Sequence, residues 1–377
     1  IVTQPTTQGQ DTILSLFNSN SSDPFWNYTL QHNGTVWEST SISDDGGYLL
    51  VSGDYTTALG GAGLFSRSSN KPVWTVGNYS SGYPPPWFDG QISGNGQYTI
   101  LLGQKLGYGP QSSIILSQNP TMTPLWYFNT SFYNARQTSF PLSISHEGAY
   151  VAIVDPGGNT LGSPRLSVFS QHDNHTLWTS NANWVNAVIS GNGDRVVAAT
   201  NTAISVFGLN SNQTLFTITS PSVALRVSQD GSTLAVLSGS YTNLTLQVYD
   251  LITGLELFSA NANSEAPLQT AISADGSRIA LFNGSQLFVY GRTGNSICET
   301  TVGGSSASLE ISGDGQSIAL GGRYLSYVKG SFMSLSAQEI LFLESIGAAA
   351  IVTGAFASVL LLRRYRRHQT SQAAVAN

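Results

Sequence analysis

Residue types that carry chemistry are few and scattered in this 377-residue chain. His172 and His175 flank Asp173 and Asn174 in a predicted turn between strands, where they could form a metal pair. The local sequence supplies no third ligand, so the alternative is a solvated turn. No Gly-x-Ser-x-Gly elbow, His-Glu-x-x-His pair or phosphate-binding loop occurs. We therefore predict no metal, no cofactor and no enzymatic activity.

A short pattern recurs seven times: Ile or Val, Ser, two variable residues and Gly. The copies begin at Ile42, Ile92, Ile144, Ile189, Val227, Ile272 and Ile311. The fourth residue is Asp or Asn in six copies, which raises the question of calcium. However, the pattern lacks the dense alternating carboxylates that supply roughly six to eight oxygen ligands. We predict that these residues form tight hairpin turns, because Asp, Asn and Gly tolerate positive φ.

One aromatic segment, residues 79–88, lies between the first two copies of the pattern. Its three prolines hold the chain extended, and Tyr83, Trp87 and Phe88 could present flat apolar surfaces to a sugar or a protein. Gly-rich loops are predicted at the same end of the molecule, over residues 54–63, 103–112 and 155–164. The alternative is that the segment packs over the end of the fold.

The spacing of the repeated turn predicts the architecture that positions these residues. Its glycines lie 50, 52, 45, 38, 45 and 39 residues apart, a period typical of β-propeller blades. Each unit predicts four strands, and the outer strand often carries Trp or Phe, as at Trp74, Trp178 and Phe216. A single such sheet cannot bury both faces, whereas sheets arranged radially bury them against their neighbours. We predict an all-β, seven-bladed β-propeller over residues 1–330.

Ring closure is predicted from the two ends of that region. The last unit offers three strands, over 309–311, 317–320 and 324–328, and its outer strand is not evident. The N-terminus carries an additional strand pair, over 13–17 and 25–30. We predict that the strand Trp26–Leu30 completes the last blade and closes the ring.

Two stretches resemble known propeller families. The Ser-x-Asp-Gly hairpins, such as Ser228–Gly231 and Ser273–Gly276, resemble those of WD40-like and YVTN-type surface propellers. The stretch from Leu246 to Phe258 (LQVYDLITGLELF) is similar to a quinoprotein-type (PQQ-like) repeat. The resemblance covers residues 13–330 at the level of the repeat, and it implies the fold without implying a particular function.

Composition and charge narrow the functional classes. Only 10% of residues are charged, and 41% are hydrophobic, which suffices for a packed core. Four of the fifteen basic residues lie in the last fifteen positions, so the rest of the chain has 21 acids against 11 bases. This acidic balance argues against nucleic-acid binding. Cys298 is the single cysteine, so no intramolecular disulfide forms, and we predict that it is a buried strand residue.

The C-terminal region predicts a membrane anchor. Residues 346–362 contain no charge, and the apolar character begins at about residue 340. About 23 residues at 1.5 Å each span the ~30 Å hydrocarbon layer. The Arg cluster after Leu362 predicts a cytoplasmic tail over 363–377, and residues 331–345 form the predicted juxtamembrane linker. The alternative is a buried core helix.

Further features fit a surface protein. Ala350, Gly354 and Ser358 line one face of the predicted helix, where they could admit a partner helix, although small residues are common in such helices. The chain begins at Ile1 rather than Met, which suits removal of a signal peptide but equally suits an arbitrary starting point. Nine N-x-[ST] sequons are candidates for N-glycans: Asn20, Asn27, Asn33, Asn78, Asn129, Asn174, Asn212, Asn243 and Asn283.

Three functional hypotheses follow. The first is a membrane-anchored, glycosylated extracellular propeller that binds a protein or glycan of the cell envelope or has a structural role there. The second is an accessory subunit of a larger membrane complex. The third is an extracellular enzyme with a site built from blade loops. Few Lys, one Cys and many sequons fit an archaeal cell surface, where hot acid would partly neutralise carboxylates.

Overall fold

The computed structural model describes fourteen stretches of the chain. They are residues 2–3, 12–17, 23–30, 37–53, 61–76, 87–104, 112–130, 142–155, 164–240, 243–262, 268–302, 306–322, 324–329 and 339–344. Within these stretches the secondary structure consists of strands and turns, without a helix. The chain divides into a unit of residues 1–344 and a second unit of residues 345–377, and every described residue belongs to the first.

Seven four-stranded antiparallel units, called sheets 1 to 7, follow one another along the chain, and the first two are joined into one eight-stranded sheet. Each is a meander of an inner, a second, a third and an outer strand. Sheet 1 contains β4 (Trp37–Ile42), β5 (Tyr48–Gly53), β6 (Ala62–Ser66) and β7 (Ser69–Val76). Sheet 2 contains β8 (Trp87–Ile92), β9 (Tyr98–Gln104), β10 (Ser112–Gln118) and β11 (Thr123–Thr130). Sheet 3 contains β12 (Leu142–Ile144), β13 (Tyr150–Asp155), β14 (Arg165–Ser170) and β15 (Thr176–Asn181).

The remaining four-stranded sheets repeat this order. Sheet 4 contains β16 (Asn186–Ile189), β17 (Arg195–Ala199), β18 (Ile204–Gly208) and β19 (Thr214–Ile218). Sheet 5 contains β20 (Ser222–Val227), β21 (Thr233–Ser240), β22 (Asn243–Asp250) and β23 (Glu256–Asn261). Sheet 6 contains β24 (Gln269–Ile272), β25 (Arg278–Phe282), β26 (Gln286–Gly291) and β27 (Ser296–Thr301). Sheet 7 contains β28 (Ser306–Ile311), β29 (Ser317–Gly322), β30 (Tyr324–Lys329) and β31 (Glu339–Glu344).

A three-stranded sheet precedes these seven and is called the N-terminal sheet. It contains β1 (Val2–Thr3), β2 (Thr12–Phe17) and β3 (Pro24–Leu30), in that order. The pairing of β2 with β3 shifts register after Leu16, which lies opposite Trp26. The same shift follows Val168, opposite Trp178, between β14 and β15. Therefore β2 and β3 correspond to a third and an outer strand.

The predicted ring closure differs from the structure. The strand Trp26–Leu30 pairs with its hairpin partner β2, and the outer strand of sheet 7 is β31, which pairs with β30. Both observed pairings close short loops, which cost less chain entropy than a pairing between the two ends of the region. Residues 340–343 were expected to begin the apolar helix and instead lie in β31. Each of the seven repeated turns lies in one four-stranded sheet. The N-terminal sheet contains no copy of the turn pattern, so the spacing of the turns did not predict it.

Aromatic contacts hold neighbouring sheets together. The Trp of an outer strand packs on a buried Phe in the third strand of the following sheet, with centroid distances of 5.4 Å for Trp126–Phe169 and 5.3 Å for Trp178–Phe207. Trp26 of the N-terminal sheet makes the same contact with Phe65 of sheet 1, at 5.6 Å. Burial of these large rings between sheets supplies much of the core.

Hydrogen bonds accompany these contacts as a reciprocal pair. Trp178 Nε1 donates to the Leu209 carbonyl (2.5 Å), and Asn212 Nδ2 of the same turn donates back to the Thr179 carbonyl (3.1 Å). The equivalent pairs are Trp126 to Ser170 with Asn174 to Tyr127, and Trp26 to Arg67 with Asn70 to Asn27. The N-terminal sheet thus packs on sheet 1 as sheets 2 and 3 pack on sheets 3 and 4.

The repeated turns join each inner strand to its second strand, as predicted. In the sixth copy, Ser273 Oγ donates to Asp275 Oδ1 (2.8 Å) and accepts from the Arg278 amide (3.0 Å). The closing glycine, Gly276, has φ +66°, a conformation that side-chain-bearing residues rarely adopt. Five other copies repeat the geometry, and Asn95 and Asn192 replace Asp as the acceptor in two of them. In the third copy the Tyr150 amide donates to Ser145 Oγ (3.1 Å), but Glu147 bonds outside the turn. In the other six copies the side chain of the fourth residue therefore serves the turn itself.

Candidate functional site

The third residue of each repeated turn lies where the seven turns approach one another. Backbone hydrogen bonds link these turns in chain order, starting with the Asp44 amide to the Gly94 carbonyl (2.8 Å) and ending with the Ala274 amide to the Gly313 carbonyl (3.0 Å). Four similar bonds lie between them, through His146, Gly191 and Gln229. We call this series the turn belt. It fixes the inner ends of all seven sheets relative to one another.

A polar cluster forms where the belt curves back on itself. Asp44 of sheet 1 accepts hydrogen bonds on Oδ2 from Gln229 Nε2 of sheet 5 (2.7 Å) and contacts His146 Nε2 of sheet 3 (3.0 Å). Glu147 Oε1 lies 2.8 Å from the other ring nitrogen of His146, and Asn95 Nδ2 donates to Glu147 Oε2 (2.8 Å). These five residues form the central cluster. Because Asp44 and Gln229 are 185 residues apart in the chain, the cluster holds sheets 1, 3 and 5 together at this end.

Electrostatics favour the ionised form of one cluster member. The hydrogen bond from Asn95, followed by that from His146, lowers the pKa of Glu147 below its ordinary value. His146 has a carboxylate oxygen within hydrogen-bond distance of both ring nitrogens. An imidazolium ion can donate to both at once, whereas a neutral imidazole can donate to one. The His146 ring thus bridges the carboxylates of Asp44 and Glu147.

Two glycines leave room for the cluster. A Cβ atom on Gly94 would collide with the His146 ring and would lie 2.5 Å from Asp44 Oδ2. A Cβ atom on Gly191 would lie 2.7 Å from Gln229 Cβ and 2.8 Å from its Cα. At Gly313 the nearest atom would be Ala274 Cβ, at an ordinary 3.4 Å. The sequence pattern left this third position variable and gave no signal of its role.

Inner-strand side chains alternate between neighbouring sheets. Leu225 packs with Val197 and Ile204 of the preceding sheet. Residues one position before the first residue of the pattern point to the following sheet instead. Ser41 Oγ, for example, accepts from the Ile92 amide (3.1 Å), and Ser143 Oγ accepts from the Ile189 amide (3.0 Å). Arg226 and Glu310 occupy this second position in sheets 5 and 7.

Glu310 is a solvent-exposed residue whose carboxyl group is closely surrounded by protein. Its side chain keeps solvent-accessible surface, yet protein surrounds the carboxyl group in nearly every direction. The enclosure raises the pKa of Glu310, and the charge of Arg226 partly opposes the rise. Sequence periodicity did not single out this carboxylate.

The aromatic residues proposed for binding are only partly placed. Tyr83 lies outside the described residues. Trp87 and Phe88 are the first two residues of β8, and Trp87 pairs with Gly103 of β9 and with Gly53 of β5. The last pairing joins sheets 1 and 2 into one eight-stranded sheet. The role of these residues in binding stays a prediction.

The sequons fall into distinct environments. Asn20, Asn33 and Asn78 lie outside the described residues, and Asn243 begins β22. Asn27 and Asn129 are exposed on outer strands. Asn174 and Asn212 are exposed in turns, but their Nδ2 atoms, to which a glycan would attach, donate in the reciprocal bond pairs. Asn283 is half-buried, and its Oδ1 accepts from the Gln286 amide (2.8 Å).

Other predicted candidates are accounted for in the same way. His172 and His175 are exposed, and His175 contacts Asp173 at 3.5 Å. No group of three potential metal ligands comes together among the described residues. Cys298 is buried in β27, as predicted.

The predicted membrane segment 346–362, with Ala350, Gly354 and Ser358, lies outside the described residues, as does the tail 363–377. Across the part of the chain that the structure describes, no helix has the length and apolar character needed to cross a membrane.

Comparisons with known proteins speak to the fold. Residues 166–283 match a protein-family model described as a family of unknown function, DUF5711. A comparison with curated proteins gives no significant match. Among solved structures, BamB from Moraxella catarrhalis is 15% identical, with a TM-score of 0.55 over 84% of this chain and 91% of BamB. The protein is a β-propeller.

Similarity to a second structure supports the fold in the same way. Hydrazine synthase from Kuenenia stuttgartiensis is 12% identical, with a TM-score of 0.50 over 82% of this chain and 95% of that one. In all, 1322 solved chains match significantly, so the similarity identifies the fold and no particular activity.

Proposed function

We propose that this propeller is a binding scaffold of the cell surface. In this proposal a C-terminal helix anchors it in the membrane, N-glycans cover part of its exterior, and long loops recognise a protein or a glycan of the cell envelope. Gly53 and Trp87, from which two of these loops leave, lie at the strand ends opposite the repeated turns. One observation carries the proposal: the pairing between Gly53 and Trp87.

This pairing brings the roots of two long connections together. The connection over residues 54–61 leaves β5 after Gly53, and the connection over residues 77–86 enters β8 at Trp87. Their anchoring strands form one continuous sheet, so a surface built by these loops rests on a rigid base. The opposite end of the ring is occupied by the central cluster and the turn belt.

Affinity capture with matched variants tests the proposal. The full chain, purified with its neighbours from its native membrane, is compared with the variant Tyr83→Ala. The control is Ile252→Ala, which removes an apolar side chain that is 71% exposed at the turn end of the ring. We expect Tyr83→Ala to lose the captured component and Ile252→Ala to retain it. Equal retention by both variants contradicts binding through the loops.

An accessory role in a larger complex is favoured by a separate feature of the perimeter. Five successive sheets expose an apolar side chain directly before the core aromatic residue of the outer strand. These side chains, 40–54% exposed, are Phe25, Val73, Leu125, Leu177 and Leu215. Repeated apolar groups on an outer surface suit lateral packing against another protein. Stoichiometric companions after purification in mild detergent would support this role, and a pure single chain would contradict it.

A further inference from the structure

Outer strand β3 carries a solvent-facing aromatic ring two residues before an acceptor asparagine. The rings of Trp26 and Tyr28 face inward, because their centroids lie 5.6 and 5.0 Å from that of Phe65 in sheet 1. Side chains alternate between the two faces of a strand. The outer face of β3 therefore carries three exposed side chains, those of Phe25, Asn27 and Thr29. An aromatic ring that is 52% exposed, the acceptor amide and the hydroxyl of its sequon thus follow one another along one face.

Outer strand β11 repeats this arrangement in sheet 2. The ring centroids of Trp126 and Phe128 lie 5.4 and 4.7 Å from that of Phe169 in sheet 3, so these two rings face inward. Tyr127 and Asn129 lie on the outer face, and both are exposed, Tyr127 by 53%. The same spacing between an exposed ring and an acceptor asparagine therefore occurs on the perimeter of two different sheets.

A serine on the neighbouring strand orients each of these two amides. Ser15 Oγ of β2 donates to Asn27 Oδ1 (2.7 Å), and the two residues are directly opposite in the strand register. Ser113 Oγ of β10 donates to Asn129 Oδ1 (3.2 Å), again from the directly opposite position. Both bonds engage the oxygen of the carboxamide. They therefore fix the side chain without using Nδ2, the atom to which a glycan attaches.

The sequons in turns use the opposite atom of the amide. Nδ2 of Asn174 donates to the Tyr127 carbonyl (3.1 Å), and Nδ2 of Asn212 donates to the Thr179 carbonyl (3.1 Å). A glycan on either residue would have to share Nδ2 with a bond that joins two sheets. The hydrogen bonds thus separate the two strand asparagines from the two turn asparagines.

We propose that Asn27 and Asn129 carry N-glycans, and that the first sugar of each glycan packs on the ring of Phe25 or Tyr127. Residues two apart on one strand face are separated by about 6.6 Å, so a sugar ring on Nδ2 reaches the aromatic ring. A pyranose presents a face of C–H groups, which the negatively polarised face of an aromatic ring attracts. The contact also removes apolar surface of the aromatic ring from water. This inference rests on the glycosylated surface of the proposed function and deepens it.

The backbone beneath both sugars is held in place by the neighbouring sheet. The Asn27 carbonyl accepts from Asn70 Nδ2 (3.0 Å), and the Tyr127 carbonyl accepts from Asn174 Nδ2. Because the strand and the acceptor amide are already fixed, little additional chain freedom is lost when the sugar packs on the ring. A sugar on Phe25 also takes this residue out of the apolar groups that are available for lateral packing, which leaves Val73, Leu125, Leu177 and Leu215.

Glycopeptide mass spectrometry of the full chain, purified from its native membrane, tests the two attachment sites. We expect the peptides that contain Asn27 and Asn129 to carry glycans. An unmodified Asn27 or Asn129 would overturn the proposal. The capture experiment with Tyr83→Ala tests binding through the loops independently, so a failure of this inference and a failure of the proposed binding function are distinguishable.

Thermal unfolding of glycosylated variants in detergent tests the contact between sugar and ring. Thr29→Ala removes the sequon and keeps Asn27 with its bond to Ser15. We expect it to lower the melting temperature by about 2 °C in the natural chain and by clearly less in a Phe25→Ala background. The control background is Leu177→Ala, which removes an apolar side chain that is 46% exposed directly before Trp178, where no sequon follows on the same face.

The control background should retain the full effect of Thr29→Ala. Equal falls in the natural chain and in the Phe25→Ala background would overturn the contact. The same series, made in a host without N-glycosylation, should show no dependence on Phe25. A dependence that persists there would assign the effect to a direct contact between Phe25 and Thr29 and would likewise overturn the proposal.

Discussion

Two of the three glycines at the third turn position allow a direct test of the close approach of neighbouring turns. Gly191 and Gly313 occupy equivalent positions in sheets 4 and 7, and neither has a positive φ. The effect of an Ala substitution on stability is therefore decided by the space around the new methyl group. At Gly191 it would lie 2.8 Å from the Gln229 Cα, so the backbone of sheet 5 must shift. At Gly313 it would make an ordinary 3.4 Å contact.

The two variants should change the free energy of unfolding in opposite directions. An alanine without strain stabilises a protein by about 0.4–1 kcal/mol, because it reduces the entropy of the unfolded chain. An extra methyl group in a tightly packed site costs about 1–3 kcal/mol. We expect Gly313→Ala to be neutral or slightly stabilising and Gly191→Ala to be destabilising. The separation is about 2–3 kcal/mol, or about 5 °C in melting temperature for a domain of this size.

Thermal and urea unfolding of the purified full chain, followed by circular dichroism, measure this difference. Gly94→Ala adds a check, because its methyl group meets side chains of the central cluster, the His146 ring and Asp44. Without the His146 ring the new methyl group has more space. Gly94→Ala should therefore lower the free energy of unfolding less in a His146→Ala background than in the natural chain. Equal midpoints for Gly191→Ala and Gly313→Ala would refute the close packing of the turns.

Three further predictions concern the reciprocal bond pairs, the turn carboxylates and the cysteine. Asn212→Ala should lower the free energy of unfolding by about 1 kcal/mol, because its hydrogen bond to Thr179 is lost. Thr214→Ala removes the same sequon but keeps this bond, so it should not lower that free energy. Equal losses in urea unfolding would assign the effect to a glycan. Burial alone would raise the pKa of Asp275, but hydrogen bonds from Ser277 and Ser273 outweigh it and lower the pKa. The unfolded state therefore binds more protons, so the stabilisation is full above the unfolded pKa and is lost as pH falls through the lower folded pKa. Asp275→Asn should make the free energy of unfolding, measured in urea from pH 2 to 6, fall less steeply with acid. An unchanged pH dependence would contradict this role of Asp275. Cys298 is 1% exposed, so thiol reagents should label it only as fast as the protein unfolds, and rapid labelling of the native state would disprove its burial.

The order of residues along the chain was enough to predict the repeated architecture. Each turn depends on contacts within five residues, such as Ser273 Oγ with Asp275 and Arg278, so its pattern is visible locally. The period of the turns predicted the repeated four-stranded sheets, and Cys298 was predicted to be a buried strand residue. These features recur in the sequence because every sheet must form the same local geometry.

Only the tertiary structure decided which separate parts of the chain meet. The central cluster joins Asp44, His146 and Gln229 because the ring brings the turns of sheets 1, 3 and 5 together, and no local pattern marks those three residues. The partner of β3 was also decided by packing, since its Trp26 contacts Phe65 of sheet 1. The exposure of Ile42 was not visible in its local sequence either, because it begins the same repeated pattern as the buried Ile92 and Ile189. Local backbone conformation is set by residues close in the sequence, whereas contacts between distant sheets depend on how all the sheets pack together.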